Sequence, residues 1–377
     1  MTPFRKTISA ALVGSAHALL TALSASASDA TLLHACFPPP ALAAIAGEET
    51  VVKGSHRYDS PTRLDGTALA PPVPDALRGS IRRVDLPAGQ KAIALTFDLC
   101  EQRGEIAGYE GRIVDYLRRE GIKATFFAGG KWMASHRART EQLMLDPLFE
   151  LGNHTETHAN LRLLTSAAAR QQILAPQKIY EETRTHLTAN QCVSTQAGWE
   201  SAIAPQLRLF RFPYGACNDA TMKAVNDAGM LAIQWDVATG DPNPNVSATA
   251  LANAMVREAR PGSIIVNHAN GRGWHTAEAL PIAIPKLKAK GYTFVTVSEL
   301  LAMGKPVITP ECFDRRPGDT NRYDFLTVLE HPLRPPTPTA HTTAPASSLS
   351  GSASAKTRPA SEAASHPKFQ SPGGIEH

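Results

Sequence analysis

The stretch LTFDLCE, Leu95 to Glu101, decides how the rest of the chain is interpreted. A mostly apolar run, Ala92–Phe97, stops abruptly at the carboxylate of Asp98, and a leucine, a cysteine and a second acid follow at once. Such a run predicts a buried strand. A carboxylate at the end of a buried strand is partly desolvated, which raises its pKa unless a cation offsets the effect. Asp98 is therefore either a general base or a structural cap or ion-pair partner.

Further apolar runs of strand length alternate with helical patterns along the chain. The other strand candidates are Ala124–Ala128, Leu148–Leu151, Leu207–Phe212, Leu231–Val237, Ser263–Val266 and Tyr292–Val297. The helix candidates are Tyr109–Arg119, Asp219–Ala228, Ser247–Ala259 and Thr276–Lys290, the last one interrupted by Pro281 and Pro285. This alternation predicts parallel pairing and an α/β fold, and seven strands favour a barrel over a flat sheet.

The two ends of the chain differ from this middle part. Residues 1–27 predict a cleaved signal peptide, with two early basic residues, an apolar stretch and the small-x-small site Ala25-Ser26-Ala27. An export signal implies a periplasmic or extracellular protein. Residues 28–90 and 302–331 are interpreted as extensions, and the Pro-, Ala-, Ser- and Thr-rich tail 332–377 as disordered.

Composition excludes some classes of partner. The 377 residues carry a formal charge of only +4 without long basic runs, which gives no reason to expect nucleic acid as a partner. Beyond the predicted signal, no stretch approaches the ~20 apolar residues of a spanning helix, so no stable membrane insertion is expected. Five cysteines in an exported chain permit disulfides but leave at least one thiol unpaired, and their pairing is not readable from sequence.

Polar clusters follow the predicted strands, where α/β barrels build their active sites. Besides Asp98, these clusters are NHTETH (153–158), FRFPYG (210–215), QWDVATGD (234–241) and IIVNH (264–268). His154 and His158 are four residues apart, and on a helical turn both rings would face one side, as a shared metal requires. Each cluster alone is a weak signal with a structural alternative, such as a surface arginine or a core histidine.

Taken in order, the five clusters resemble the polysaccharide deacetylases with the NodB homology domain, carbohydrate esterase family four. The resemblance covers about Lys91 to Leu301, and the predicted domain is set at 91–301. It implies a distorted (β/α)7 barrel and a hydrolase of non-peptide carbon–nitrogen bonds. The substrate would be an N-acetylated polysaccharide or oligosaccharide, chitin- or peptidoglycan-like, and the cofactor a divalent metal: zinc, with cobalt or nickel as alternatives.

The resemblance also implies roles for the first three motifs. Thr96-Phe97-Asp98 matches the first motif, so Asp98 is expected to be the catalytic base. His154 and His158 open and close the second motif and are expected to bind the metal. In the third motif Arg211 is expected to orient Asp98, and Tyr214 to offer donors to the reacting acetyl group.

The fourth and fifth motifs supply the remaining roles. Trp235 is expected to form part of the acetyl pocket, and Asp241 to tune the catalytic histidine. Val266-Asn267-His268 matches the last motif, with Val266 beside the substrate and His268 as general acid. The fourth motif departs from the family at two positions, Ala238 and Pro242.

Leu99 is the main departure, because it occupies the position where the family has a metal-binding aspartate. Three alternatives follow: Glu101 or Cys100 supplies the missing ligand, Asp98 binds the metal itself, or the metal is lost and the protein is a glycan-binding pseudoenzyme. The retained acid–base residues favour a retained metal, with Glu101 as the candidate ligand. O-acetyl ester hydrolysis and cleavage of non-sugar amides are rival activities, and the oligomeric state is not predicted.

Overall fold

The longest strand of the computed structural model, which describes residues 32–54 and 56–325, is β3 at Ala92–Leu99. It is buried along its whole length and continues one residue beyond Asp98. Alternate side chains of β3 enter two different cores: Phe97 and Leu99 pack in the larger cluster with the surrounding helices, whereas Ala94 packs in the barrel interior. Because strand side chains alternate, Asp98 faces the barrel interior and Leu99 faces the helices.

The described residues contain further strands of two to six residues. They are β1 Val52–Lys53, β2 Ser80–Asp85, β4 Glu105–Ile106, β5 Ala124–Ala128, β6 Phe149–Asn153, β7 Leu209–Phe210, β8 Leu231–Ile233, β9 Val237–Ala238, β10 Ile264–His268, β11 Thr293–Phe294 and β12 Lys305–Thr309. β1 and β4 form a separate antiparallel pair. The remaining strands form one sheet in the order β12-β2-β8-β7-β6-β5-β3-β10-β9, with β11 paired to β3.

The sheet curls back on itself through the stretch that contains β8 and β9. β8 pairs with β2 and β7. β9, which three residues separate from β8 in the chain, pairs with β10. All neighbouring strands along the path are parallel except β12, which runs antiparallel to β2. The predicted distorted barrel is thereby confirmed, although the predicted strand Leu231–Val237 is in fact two short strands.

Helices cover the outside of the sheet. Those described are Pro39–Leu42, Gly111–Glu120, Gly130–Ser135, Arg137–Leu145, Ser166–Ala189, Gln191–Ser194, Trp199–Ala202, Asp219–Asp227, Ala248–Glu258, Thr276–Ala289 and Val297–Ala302. The short 3-10 helices are Asp75–Leu77, Leu161–Leu163, Pro213–Gly215 and Asp319–Tyr323. Residues 32–36 are also helical. Among the described residues, no helix is long and apolar enough to cross a membrane.

Several predicted boundaries were wrong for local reasons. The helix Thr276–Ala289 is continuous, because Pro281 and Pro285 lie on its exposed face, where carbonyl groups that lose a partner remain in contact with solvent. The predicted strand Tyr292–Val297 ends early, because Thr296 caps the helix Val297–Ala302. Asn218 caps the helix Asp219–Asp227, which ends one residue before the predicted Ala228.

Two strands of the sheet lie outside the range 91–301, namely β2 and β12. The predicted domain boundaries remain predictions, but the barrel takes in chain on both sides of that range. The predicted signal peptide and the tail 332–377 lie outside the described residues.

Two disulfides join distant parts of the chain, Cys36–Cys192 and Cys217–Cys312. All five cysteines are among the described residues, and the one left over, Cys100, is a buried free thiol. The expectation of an unpaired thiol is confirmed, and its position next to Asp98 and Leu99 bears on the site described below.

Candidate active site

Asp98 and Arg211 form a buried ion pair at the end of β3. The guanidinium Nη1 donates to Asp98 Oδ1 at 2.8 Å, and the ring of Phe127 lies 4.0 Å beneath the guanidinium carbon. Burial alone would raise the pKa of Asp98, but the charge of Arg211, with contributions from His154 and His268, holds that pKa below its usual range. Asp98 is therefore a charged carboxylate at neutral pH.

His268 ends β10 and is held by Asp241. Its Nδ1 lies 3.0 Å from Asp241 Oδ1, and its backbone N–H donates to Oδ2 at 2.7 Å. The Thr276 hydroxyl donates to the same Oδ2 at 2.8 Å. Burial would lower the pKa of His268, but Asp241 and, to a smaller extent, Asp98 raise it above its usual range. The ring is thus biased toward the protonated form, as a proton donor requires.

His154 presents a free lone pair beside Asp98. Its Nδ1 lies 2.9 Å from the carbonyl oxygen of Arg211, which can only accept, so Nδ1 carries the hydrogen. Its buried Nε2 has no hydrogen-bond partner in the described part of the chain and lies 3.5 Å from Asp98 Oδ2. Burial lowers the pKa of His154, which keeps the ring neutral. A neutral imidazole with an unused lone pair is the form that binds a metal.

His158 is brought to the same place, but not by a helix. Residues 154–158 form a loop after β6, and Thr155 and His158 both adopt left-handed backbone conformations with φ of 64° and 57°. The two imidazole rings are 5.0 Å apart, and Nδ1 of His158 lacks a hydrogen-bond partner among the described residues. The predicted helical turn was wrong, and the strained loop is typical of a functional site.

Cys100 completes a cluster of three potential metal ligands. Its sulfur and one nitrogen each of His154 and His158 all lie within 4.8 Å of one another. Burial raises the pKa of the Cys100 thiol to about 12, so the thiol is protonated unless a metal replaces the proton. Two imidazoles and a thiolate are a donor set that zinc accepts, and these residues therefore fit a divalent metal.

Glu101 does not belong to this cluster, so its candidacy as the third ligand was wrong. Its Oε1 pairs with the buried ammonium of Lys131 and accepts from the Ser135 hydroxyl at 2.7 Å. Its Oε2 accepts from the backbone N–H of Ala107 at 3.0 Å. Both oxygens are therefore engaged in fixing the loop after β3. Lys131 lies 30 residues away in sequence, so no local pattern could have revealed this pairing.

The three predicted substrate-binding residues lie beside the acid–base and histidine residues: Tyr214 contacts His158, Trp235 lies against Arg211, and Val266 precedes His268 on β10. Tyr214 has a left-handed backbone with φ of 59°, and its ring lies 4.5 Å from that of His158. Trp235 is buried with Val266 in the interior cluster, and its indole N–H donates to Asp314 at 3.1 Å. The structure thus brings together all nine residues predicted from the sequence: Asp98, His154, His158, Arg211, Tyr214, Trp235, Asp241, Val266 and His268.

The structure adds residues that the sequence did not indicate. Asn270 donates to both the carbonyl oxygen and the sulfur of Cys100, at 2.8 and 3.0 Å. Tyr58 and Ser60, from the region interpreted as an extension, donate to Glu156 inside the histidine loop. Asn270 follows His268 closely in sequence, which was a usable signal, whereas the contacts of residues 58 and 60 depend on tertiary structure alone.

Comparison with known proteins finds relatives among the polysaccharide deacetylases. The polysaccharide deacetylase family profile matches residues 85–233. A peptidoglycan-N-acetylglucosamine deacetylase of Bacillus cereus is 31% identical over 222 residues, which are 58% of this chain and 91% of that protein. A chitooligosaccharide deacetylase of Azorhizobium caulinodans is 29% identical over 216 residues, 54% of this chain and 91% of that protein.

Solved structures of the same kind are also similar. A peptidoglycan N-acetylglucosamine deacetylase matches with 25% identity and a TM-score of 0.49, covering 60% of this chain and 94% of that chain. A pseudoenzyme of carbohydrate esterase family 4 from Bacillus anthracis matches with 28% identity and a TM-score of 0.48, covering 60% of this chain and 70% of that chain.

Proposed function

The chain belongs to the polysaccharide deacetylase family, whose enzymes hydrolyse carbon–nitrogen bonds, and on that premise we propose that it deacetylates N-acetylated sugars of a chitin- or peptidoglycan-like glycan. The observation that carries this proposal is that the pKa values of two neighbouring groups are shifted in opposite directions. Asp98 is held charged by Arg211, and His268 is held protonated by Asp241. A hydrolase needs one base and one acid at the same pH, and a pure binding protein has no physical need for this arrangement.

A divalent metal, zinc in the first place, belongs to the proposal because the residues present fit it. His154 and His158 would hold it through nitrogens that lack any other partner among the described residues. When bound, such an ion supplies Lewis-acid chemistry that polarises the acetamide carbonyl and makes water a better nucleophile.

Asp98 and His268 divide the proton transfers between them. Asp98 Oδ2, the carboxylate oxygen not bonded to Arg211, accepts a proton from the attacking water as the new C–O bond forms. His268 then donates a proton to the sugar nitrogen as the C–N bond breaks, so that acetate and a free amine leave. Arg211 and Asp241 are positioning residues, since each acts through its partner.

The remaining residues would bind the acetyl group. Backbone N–H groups stabilise a developing oxyanion when they are fixed in advance, and the left-handed backbone of Tyr214 provides a rigid turn for that purpose. Trp235 and Val266, buried in one apolar cluster, form the wall against which the methyl group of the acetamide would pack. Export to the periplasm or cell exterior, where such glycans occur, is consistent with two disulfides in the chain.

Acetate release tests this proposal. Protein purified without chelator is incubated with N-acetylated chitooligosaccharide, with peptidoglycan and, as the rival ester substrate, with O-acetylated xylan. Acetate from an N-acetylated substrate that is lost in Asp98→Asn supports the proposal. Acetate from the ester alone would assign the chain to the O-acetyl esterases, and none from any glycan would indicate a binding protein.

A further inference from the structure

We propose that Cys100 is the third protein ligand of the metal, as a thiolate that replaces the carboxylate missing at Leu99. This inference rests on the metal dependence within the proposed function. It assigns the site a His2Cys donor set, and with it a preference for zinc or cobalt over magnesium, calcium or manganese.

The position of Cys100 follows from the alternation of strand β3. Leu99 faces the helices and lies in the larger core cluster, so an acid at that position would point away from the histidines in this chain. The next residue, Cys100, turns back toward the barrel mouth, where its sulfur lies within 4.8 Å of the ligand atoms of His154 and His158. Ligands of one tetrahedral zinc are about 3.3–3.8 Å apart, given Zn–N and Zn–S bonds of about 2.0–2.3 Å. A contraction of at most about 1.5 Å between ligand atoms therefore closes the site.

The amide of Asn270 indicates that the sulfur acts as an acceptor. The carbonyl oxygen of Cys100 can only accept, so the amide group 2.8 Å from it is the NH2 group. The same nitrogen lies 3.0 Å from the sulfur and donates to it. Donors of this kind orient a metal-bound thiolate and offset its charge, as the surrounding hydrogen bonds do in other metal sites.

Nearby carboxylates are engaged elsewhere. Glu101 is held by Lys131 and Ser135, and Glu105 by Arg272 through two bonds of 2.9 and 2.7 Å. Asp98 gives Oδ1 to Arg211 and keeps only Oδ2 for base work. Cys100 thus restores one negative charge next to two neutral histidines. Thiolate sulfur favours zinc and cobalt, whereas magnesium, calcium and manganese prefer oxygen ligands.

The sulfur is measured directly in two experiments. X-ray absorption at the zinc edge of the wild-type protein should show one sulfur at about 2.3 Å among nitrogen and oxygen neighbours. The cobalt(II)-substituted protein should show a sulfur-to-cobalt charge-transfer band. The other four cysteines are in disulfides, so any such band comes from Cys100.

Cysteine variants test whether the sulfur-to-cobalt band comes from Cys100. Cys100→Ser should lose it and bind cobalt at least about tenfold more weakly, and Cys100→Asp should bind metal without the band. The paired substitution Cys217→Ser with Cys312→Ser is the matched control, since it removes two cysteines and should leave the band unchanged. Circular dichroism checks that each variant is folded.

The outcomes separate this inference from the proposed function. A wild-type zinc spectrum with only nitrogen and oxygen neighbours, or a protein that binds no metal, would overturn the ligand assignment. Metal bound through sulfur without acetate release from any glycan would contradict the proposed function and leave the assignment standing. Acetate release by a protein whose metal has no sulfur neighbour would support the proposed function and overturn the ligand assignment.

Discussion

Asp98 and His268 are in-register partners on the neighbouring parallel strands β3 and β10. Side chains at paired positions of parallel strands project to the same side, so the two groups face the same mouth of the barrel. Their partners shift their pKa values in opposite directions, downward for the carboxyl and upward for the imidazole. This pairing is the structural basis of the acid–base mechanism and leads to the first two predictions.

Asp98→Asn should lower kcat/KM for acetate release by about 10²- to 10⁴-fold, because the amide cannot accept the proton of water. The matched control is Asp236→Asn, since the side chain of Asp236 is also buried but bonds, among the described residues, Arg260, Ser263 and the N–H of Ile264. That control should keep its activity. Equal losses in both variants would show that burial of an acid, rather than catalysis, explains the effect.

Asp241→Asn should move the alkaline limit of the pH–rate profile to lower pH. A general acid works only below its pKa, and Asp241 is the main group that raises the pKa of His268. Asp98 also raises the pKa of this ring, and Arg211 lowers it. The profile of kcat/KM between pH 5 and 10 checks this, and an unchanged alkaline limb would remove His268 from the role of acid.

Arg211→Met should destabilise the protein by about 3–5 kcal/mol, because it leaves the charge of Asp98 buried without a partner. The pKa of Asp98 should rise at the same time. Denaturant unfolding of this variant is compared with that of Arg211→Met combined with Asp98→Asn. The second substitution should recover part of the loss, and a double variant less stable than the single one would contradict the ion-pair account.

Leu99→Asp should not restore the metal ligand that the family has at this position. The side chain of Leu99 is fully buried against the helices, so an aspartate there should cost about 3 kcal/mol or more and add no zinc affinity. Leu99→Met is the control for volume and should cost less than about 1.5 kcal/mol. A stable Leu99→Asp protein with tighter zinc binding would show that the side chain reaches the site.

Loss of the Cys217–Cys312 disulfide should lower the free energy of unfolding by about 2–5 kcal/mol, since it closes a loop across 95 residues. The variant with serine at both positions and the wild type are each titrated with denaturant, with and without reductant, and their free energies of unfolding are compared. Reductant should destabilise the wild type more than the variant, which keeps only Cys36–Cys192. No difference between them would show that the bridge contributes little.

Much of the barrel could be predicted because its strands are short apolar runs bounded by polar ends. β5 matches the prediction at both ends, and the active-site residues were found because each follows such a strand. The helix Ser166–Ala189 was missed, since its apolar face is diluted by buried glutamines and interrupted by Pro176. The helices Gly130–Ser135 and Arg137–Leu145 bury Lys131 and Arg139 in ion pairs, which hides their apolar periodicity.

The errors within the site have a common physical cause. Glu101 was predicted as a metal ligand because its partner Lys131 is distant in sequence. The histidine pair was predicted on a helical turn because residue spacing does not reveal a left-handed backbone such as that of Thr155. Likewise, only the alternation of β3 shows that Leu99 faces away from the metal site and that Cys100 turns toward it. Spacing identified the residue types, whereas tertiary contacts determined which of them meet.

The most direct test of the central claim is acetate release from N-acetylated chitooligosaccharide and peptidoglycan by one preparation in three states: as purified, after chelation, and after zinc is restored. Metal-assisted deacetylation predicts acetate in the first state, a loss of at least about 100-fold in the second and recovery in the third. Folding is followed in all three states. Equal acetate release with and without metal, or none in any state, would contradict the account.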